Sequence, residues 1–365
     1  MKIQDIVSFL ETVAPLSIQE KYDNAGMICG NAHWDCSGVI TTLDATEEIV
    51  QEAIEKKCNL IVAHHPIVFG GLKSITGKNY VEKTIITAIK HDIAIYAIHT
   101  NLDNIITGVN GKIADMLGLV NRRVLSHSPD TLKKLVTYVP IEQADTLREA
   151  LFEAGGGEIG NYSECSFTTE GDGTYRANAD ASPYLGKINE LHTEREQKIE
   201  MIFPVWLQNK LLHTLKLSHP YEEVAFDVIS LDNVRQDIGA GLVGDLSKPI
   251  TEVEMLQMLQ DVFKSPVIKH TRLLGKMVQK VAVCGGSGSF LTKSAISAGA
   301  DFFVTGDVKY HEFFDTNDKL VLADIGHYES EQYTIDLLFD ILREKFPTFA
   351  VLKTGQKTNP VFYFG

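Results

Sequence analysis

Ile3, Ile6, Val7, Leu10 and Val13 recur at helical spacing, so the chain opens with an amphipathic helix over residues 2–14. The apolar period then switches back and forth. Val39-Ile40 begins a strand, Glu47 to Lys57 reads as a helix, and Asn59 to Ala63 as a second strand. Helix 79–91, strand 93–98 and helix 109–117 follow. Apolar strands separated by helices of this length predict βαβ units and a largely parallel sheet.

The same grammar returns near the end of the chain, with strand 279–284, helix 289–298, strand 301–305, a helix near 310–316, strand 319–323 and a long helix over about 328–345. The two stretches align without a gap, Val39 falling on Val281 and Asn59-Leu60-Ile61-Val62 on Asp301-Phe302-Phe303-Val304. The expectation is a pseudo-twofold pair of α/β lobes, with shared βαβ grammar as the plainer alternative.

Between the lobes, over residues 129–235, the pattern changes. Leu135–Val139 is a strand, and Ala144, Leu147, Ala150 and Leu151 mark a helix that stops at Gly155-Gly156-Gly157. Ser163–Thr169 and Thr174–Ala179 flank Gly171-Asp172-Gly173 and predict a hairpin with a tight glycine turn. Strand 199–203, helix 206–216 and strand 224–229 complete a β-α-ββ then β-α-β order, which describes an inserted ferredoxin-like α+β module. The expected division is therefore 1–128 with 236–365 for the two-lobed domain, and 129–235 for the insert.

Composition narrows the function classes. A net charge of −14 argues against a general nucleic-acid binder, although a local basic pocket for one phosphate remains compatible with it. No apolar run approaches the roughly 20 residues that span a bilayer, so no membrane partner is expected. Met1-Lys2-Ile3-Gln4-Asp5 carries an acid where a signal peptide is apolar. Five scattered cysteines without a CxxC read as reduced thiols of a cytoplasmic protein.

Candidate chemistry gathers at strand ends. His64-His65, with Pro66 next, closes the apolar run Asn59–Ala63, and open α/β sheets bind ligands at that edge. His99-Thr100-Asn101-Leu102-Asp103 follows strand 93–98, and Gly326-His327-Tyr328-Glu329-Ser330-Glu331 follows strand 319–323. His327 and Glu331, four apart at the start of a helix, share one face about a turn apart. Taken singly, His64-His65 can be one packed and one solvated ring, Asp103 a helix cap, and Glu331 a solvated residue. Jointly, three histidines and two carboxylates exceed what one tetrahedral zinc takes and match a pair of ions with a bridging carboxylate. Zinc is the first expectation, and iron, manganese or cobalt suit the same donors. His99 is either a hydrogen-bonding neighbour of the ligands or a proton carrier, and Lys309 and His311 are candidates for a phosphate contact or proton transfer. Gly285-Gly286-Ser287-Gly288-Ser289 is a weaker candidate for an anion cradle, without the Lys-Ser/Thr of a P-loop.

These residues together resemble the NIF-three-like dinuclear-metal family, whose members carry the label GTP cyclohydrolase I type 2 homologue. The matching segments are Tyr22-Asp23-Asn24-Ala25-Gly26, Ala63-His64-His65-Pro66, His99-Thr100-Asn101-Leu102-Asp103, Thr305-Gly306-Asp307 with Tyr310-His311, and His327-Tyr328-Glu329-Ser330-Glu331. They cover both lobes, about two thirds of the chain. Tyr22 departs from the Trp common at its position. The middle segment is similar to the insertion of longer members, related to PII-like and CutA-like trimeric modules, through Ile159-Gly160-Asn161-Tyr162, Cys165-Ser166-Phe167 and His219-Pro220-Tyr221-Glu222-Glu223. The resemblance implies His64, His65, Asp103, His327 and Glu331 as ligands of two divalent metal ions, in a homohexameric ring with the metals facing an internal cavity. It implies a metal-dependent hydrolase of a nucleotide or related small molecule, opening the guanine ring of GTP or acting as a phosphoesterase. A non-enzymatic ring with structural metals and a partner-binding insert is the competing class.

Overall fold

The computed structural model describes residues 1–364, so Gly365 lies outside the described residues. The chain separates into two compact units, one running to His127 and resuming at Asp237, the other Ser128–Gln236. In the first unit the chain forms α1 (Ile3–Val13), β1 (Gly26–Cys29), β2 (Val39–Asp44), α2 (Glu47–Glu55), β3 (Leu60–His65), α3 (Tyr80–Lys90), β4 (Ala94–Ala97), α4 (Thr100–Asp103), α5 (Val109–Met116) and β5 (Val120–His127). The expected face of α1 is the buried one, with Ile3, Ile6, Val7 and Leu10 inside. Strands β2, β3 and β4 are buried almost from end to end, as parallel strands covered on both faces must be.

The second unit contains β6 (Leu132–Pro140), α6 (Ile141–Glu153), β7 (Phe167–Arg176), β8 (Leu191–Pro204), α7 (Gln208–Ser218) and β9 (Phe226–Ser230). They make one antiparallel sheet in the order β7-β8-β6-β9. Leu135, Val139, Ile199, Met201 and Phe203 alternate onto the face that packs against Leu147, Leu151, Leu211 and Leu215 of the helices. The expected hairpin at Gly171-Asp172-Gly173 is absent, because β7 runs straight through those residues along β8. Glycine serves there for space: a Cβ on Gly173 would stand 2.1 Å from a carboxylate oxygen of Glu196.

The chain re-enters the first unit with β10 (Gly239–Thr251), α8 (Glu252–Phe263), β11 (Lys269–His270), β12 (Met277–Ser287), α9 (Thr292–Ser297), β13 (Phe302–Gly306), β14 (Val321–Asp324), α10 (His327–Glu331), α11 (Thr334–Lys345) and β15 (Val351–Lys353). Two sheets result, β1-β4-β3-β2-β15 and β11-β14-β13-β12-β10-β5. Their parallel cores are in the same register: Val39 lies opposite Leu60, and Val281 opposite Phe302. The predicted internal match is therefore a match of strand pairing. The first sheet is largely parallel, as expected, with only the edge strand β1 antiparallel, whereas the second is mixed, since β5, β10 and β11 pair antiparallel. The helix expected over 328–345 breaks at Gln332-Tyr333, where the two side chains bond the Phe263 and Val262 carbonyls and hold the chain against α8. β5 and β10 pair as a hairpin stem with His127 opposite Gly239, and the second unit is spliced between those two residues.

Candidate metal centre

Strand β3 delivers His64 and His65, and α4, just beyond β4, delivers Asp103. From the other lobe, α10 beyond β14 supplies His327 and Glu331 one turn apart. The structure brings all five together. Glu331 Oε2 lies 3.0 Å from His65 Nε2 and 3.1 Å from His327 Nε2, while its Oε1 faces His64 Nε2 at 3.9 Å. His64 Nε2 is 3.6 Å from Asp103 Oδ1. Two potential ion sites thus share Glu331, one with His65 and His327 and one with His64 and Asp103, the ligand atoms of each lying within 4.8 Å of one another.

Each imidazole is aimed by an oxygen behind it. The Nδ1–H of His64 donates to the Ile98 carbonyl at 2.8 Å, that of His65 to Asp44 at 2.7 Å, and that of His327 to Asp307 at 2.7 Å. His99 Nδ1–H donates to Asp23 at 2.8 Å, and its ring packs 5.2 Å and 5.4 Å from those of His64 and His65. An acceptor on Nδ1 fixes the tautomer that leaves Nε2 free to ligate, the arrangement typical of metal-bound histidine.

The electrostatics point to a cation. Burial opposes charge on His65 and His327, but Asp44, Asp307 and Glu331 outweigh it and push the rings up to about 10 and about 11. Burial also opposes the charge of Glu331, yet His327, His64 and His65 hold it well below the usual carboxylate range. Burial and the neighbouring Glu331 push Asp103 up to about 8. His64 Nε2 and Asp103 Oδ1 are buried and accept or donate no hydrogen bond. Such orphaned atoms are rare and call for a partner, and a divalent ion between them satisfies both. The donor set fits a metal.

Sequence reasoning missed the residues behind the ligands. Asp23 and Asp307 stood inside segments that carried the family resemblance, and Asp44 ends β2 opposite His65 in the parallel register. Other expectations are not met. The glycine loop is no anion cradle: the amides of Gly285, Gly286 and Gly288 already donate to Asn110, Ser330 and Thr305. Its glycines instead leave room for Glu331, because a Cβ on Gly286 would stand 2.4 Å from Glu331 Oε1. Lys309 and His311 are exposed and stay out of the pocket, the amide of Lys309 donating to Glu312 and the His311 ring lying against Tyr310 and Phe314. That pocket, of about 390 Å³, is walled by His65, His99, Asp103, Glu331, Ala240 and Gly241, with Tyr22 and Phe69 at its rim. A second, of about 510 Å³, reaches His65 and His327 from the side of Lys269, Tyr328 and Tyr363.

Paired α/β lobes with a histidine–carboxylate cluster between their strand ends define the class. The comparisons then give the family: the profile of Duf34/NIF3 (NGG1p interacting factor 3) matches residues 1–360, and the chain belongs to that family. A Halalkalibacterium halodurans protein named GTP cyclohydrolase 1 type 2 homolog is 38% identical over 362 residues, covering 98% of this chain and 97% of its own. A Bacillus subtilis protein of the same name is 37% identical over 89% of this chain and 88% of its own. The crystal structure of a Bacillus cereus protein related to NIF3 superposes with a TM-score of 0.85 at 35% identity, covering 100% of this chain and 99% of that one. Among the described residues no helix is long and apolar enough to cross a membrane.

Proposed function

We propose that the two-lobed unit holds two divalent metal ions, one by His65, His327 and Glu331 and one by His64, Asp103 and Glu331, and uses them to hydrolyse a nucleotide-like substrate. The observation that carries this reading is the placement of the two Glu331 oxygens, each facing a different set of ligand atoms. Zinc is the first candidate, and iron, manganese or cobalt accept the same donors. When bound, such a pair lowers the pKa of water towards neutrality and stabilises developing negative charge. The chain's own residues do the rest. The 390 Å³ pocket admits a small molecule beside Asp103 and Glu331, and the Tyr22 and Phe69 rings, 6.2 Å apart, offer flat faces to a base. His99, aimed by Asp23, is the group placed to move a proton.

The shared name of the relatives makes GTP the first substrate to test, with opening of the imidazole ring and release of formate. The expected result is metal-dependent formate release that disappears in His65→Ala, with metal content dropping in the same variant. Phosphate or nucleoside in place of formate would assign a phosphoesterase. No turnover of any nucleotide with any divalent metal would favour the non-enzymatic ring. The reading includes a homohexamer, for which light scattering should give six 40.4 kDa chains, about 240 kDa.

A further inference from the structure

The second unit has a cavity of its own, of about 630 Å³, within the size range of small-molecule sites. It lies on the sheet face opposite the helices. The register puts Tyr138, Thr169, Gly171, Gly173, Tyr175, Glu196 and Lys198 on that face, since Leu135, Val139, Ile199 and Met201 point the other way. Residues 177–190 fold back over it as a flap: Ala177 bridges Ile188, the Asn189 amide donates to Ala177, and the Tyr175 hydroxyl donates to the Leu185 carbonyl at 2.8 Å. The turn at His219–Glu223 closes another side. His219 fixes it, with Nε2–H donating to the Tyr138 carbonyl at 2.9 Å and Nδ1 accepting from the Tyr221 amide at 3.1 Å.

Three tyrosines cluster there, Tyr175 edge to face with Tyr221 and Tyr184 tilted against it. The rings of Tyr175 and Tyr221 are 5.9 Å apart and those of Tyr184 and Tyr221 6.4 Å apart. Beside them in the cavity wall lies Glu196, 9% exposed, whose Oε1 accepts from the Tyr221 hydroxyl at 2.8 Å. Its Oε2 accepts no hydrogen bond among the described residues and lies over Gly173, where a Cβ would stand 2.1 Å away. The basic groups nearby do not neutralise it. Lys198 pairs with Glu200, Arg195 reaches Glu170 and Asp172 across the opposite face, and Arg176 donates to the Asn189 carbonyl. Glu222, on the turn, accepts from the Ser182 amide of the flap.

We infer that this cavity binds an organic monocation of the alkylammonium class, its ammonium group held by Glu196 and the faces of Tyr175, Tyr184 and Tyr221. A ring face attracts a cation within about 6 Å, and a sheltered carboxylate strengthens the attraction. An anion is disfavoured by Glu196 and a neutral apolar ligand gains nothing from it. The site draws on no residue of the metal centre, so it stands apart from the hydrolase reading.

The test uses the full-length protein with choline as probe and its uncharged isostere 3,3-dimethylbutan-1-ol as control, followed by titration calorimetry. Choline should bind, and the isostere at least about tenfold more weakly. Glu196→Gln keeps an oxygen for the Tyr221 hydroxyl and removes only the charge, so it should stay folded and lose choline affinity about tenfold or more. Tyr184→Leu, on the half-exposed flap residue, should weaken choline several-fold without touching metal content. Equal binding of choline and its isostere, unchanged affinity in Glu196→Gln, or no binding of choline at millimolar concentration would each overturn the inference.

Discussion

The histidines around Glu331 are held by the oxygens behind them, and those are open to direct test. Asp44 accepts the Nδ1–H of His65, so Asp44→Asn should weaken metal binding about 10–100-fold while leaving the fold intact, read by competition with a chelator. Asp23 accepts from His99 and from both the amide and the hydroxyl of Thr100, tying down the turn that carries Asp103. Burial opposes the Asp23 charge, but these bonds outweigh it and draw the carboxyl from 3.8 to about 2. A folded pKa below the unfolded one gives stability that is complete above pH 4 and is lost as pH falls through 2. Asp23→Asn should therefore cost about 2 kcal/mol in urea unfolding at pH 7, with the gap to wild type closing between pH 4 and 2. The five ligand candidates were legible because each followed an apolar run, where an unneeded charge is costly. Asp23, Asp44 and Asp307 were not, because a single aspartate in a loop or at a strand end has the same local signature as a cap. Lys309 and His311 misled for the opposite reason, sharing a segment with Asp307 while pointing to solvent.

At the scale of elements, glycine is where sequence reading succeeded least. Gly171-Asp172-Gly173 has turn composition, yet both glycines lie within a strand, and Gly173 sits beside a carboxylate that needs its space. Gly285-Gly286 has the look of an anion loop and is a continuation of β12 that clears room for Glu331. Gly286 also has φ of +61°, which a side chain resists. Gly286→Ala should cost about 1–3 kcal/mol from the backbone alone and should also displace Glu331. Loss of metal exceeding the loss of stability, measured by elemental analysis alongside thermal melting, is the expected signature. The βαβ elements were readable because buried parallel strands are runs of Val, Ile and Leu. β5 and β10 escaped because β10 opens Gly239-Ala240-Gly241, with too little side chain to show a period, and β5 carries Asn121, Arg122 and Arg123.

For the whole molecule, the match between the two halves foretold equal strand registers in two sheets, but not that β15 would return from the second half to edge the first sheet. Non-local pairings of this kind leave no trace in a local period. Two buried clusters of the first unit, Ile40 to Ile95 in one lobe and Val243 to Leu322 in the other, draw on its own residues. Replacing residues 129–235 by a short turn between paired strands should thus leave a folded protein that retains its metal, tested by melting and elemental analysis. An unfolded or metal-free product would make the second unit part of the core. The splice between His127 and Gly239 has an evolutionary corollary. The chain carried at the tip of this stem can lengthen, shrink or be exchanged at an entropic cost that grows only slowly with its length. The strand it returns into has no such licence, since Ala240 and Gly241 wall the pocket and a slip of one residue would turn every side chain of β10 to the wrong face. Inheritance can rewrite the cargo freely, provided the ribbon beneath it never loses count.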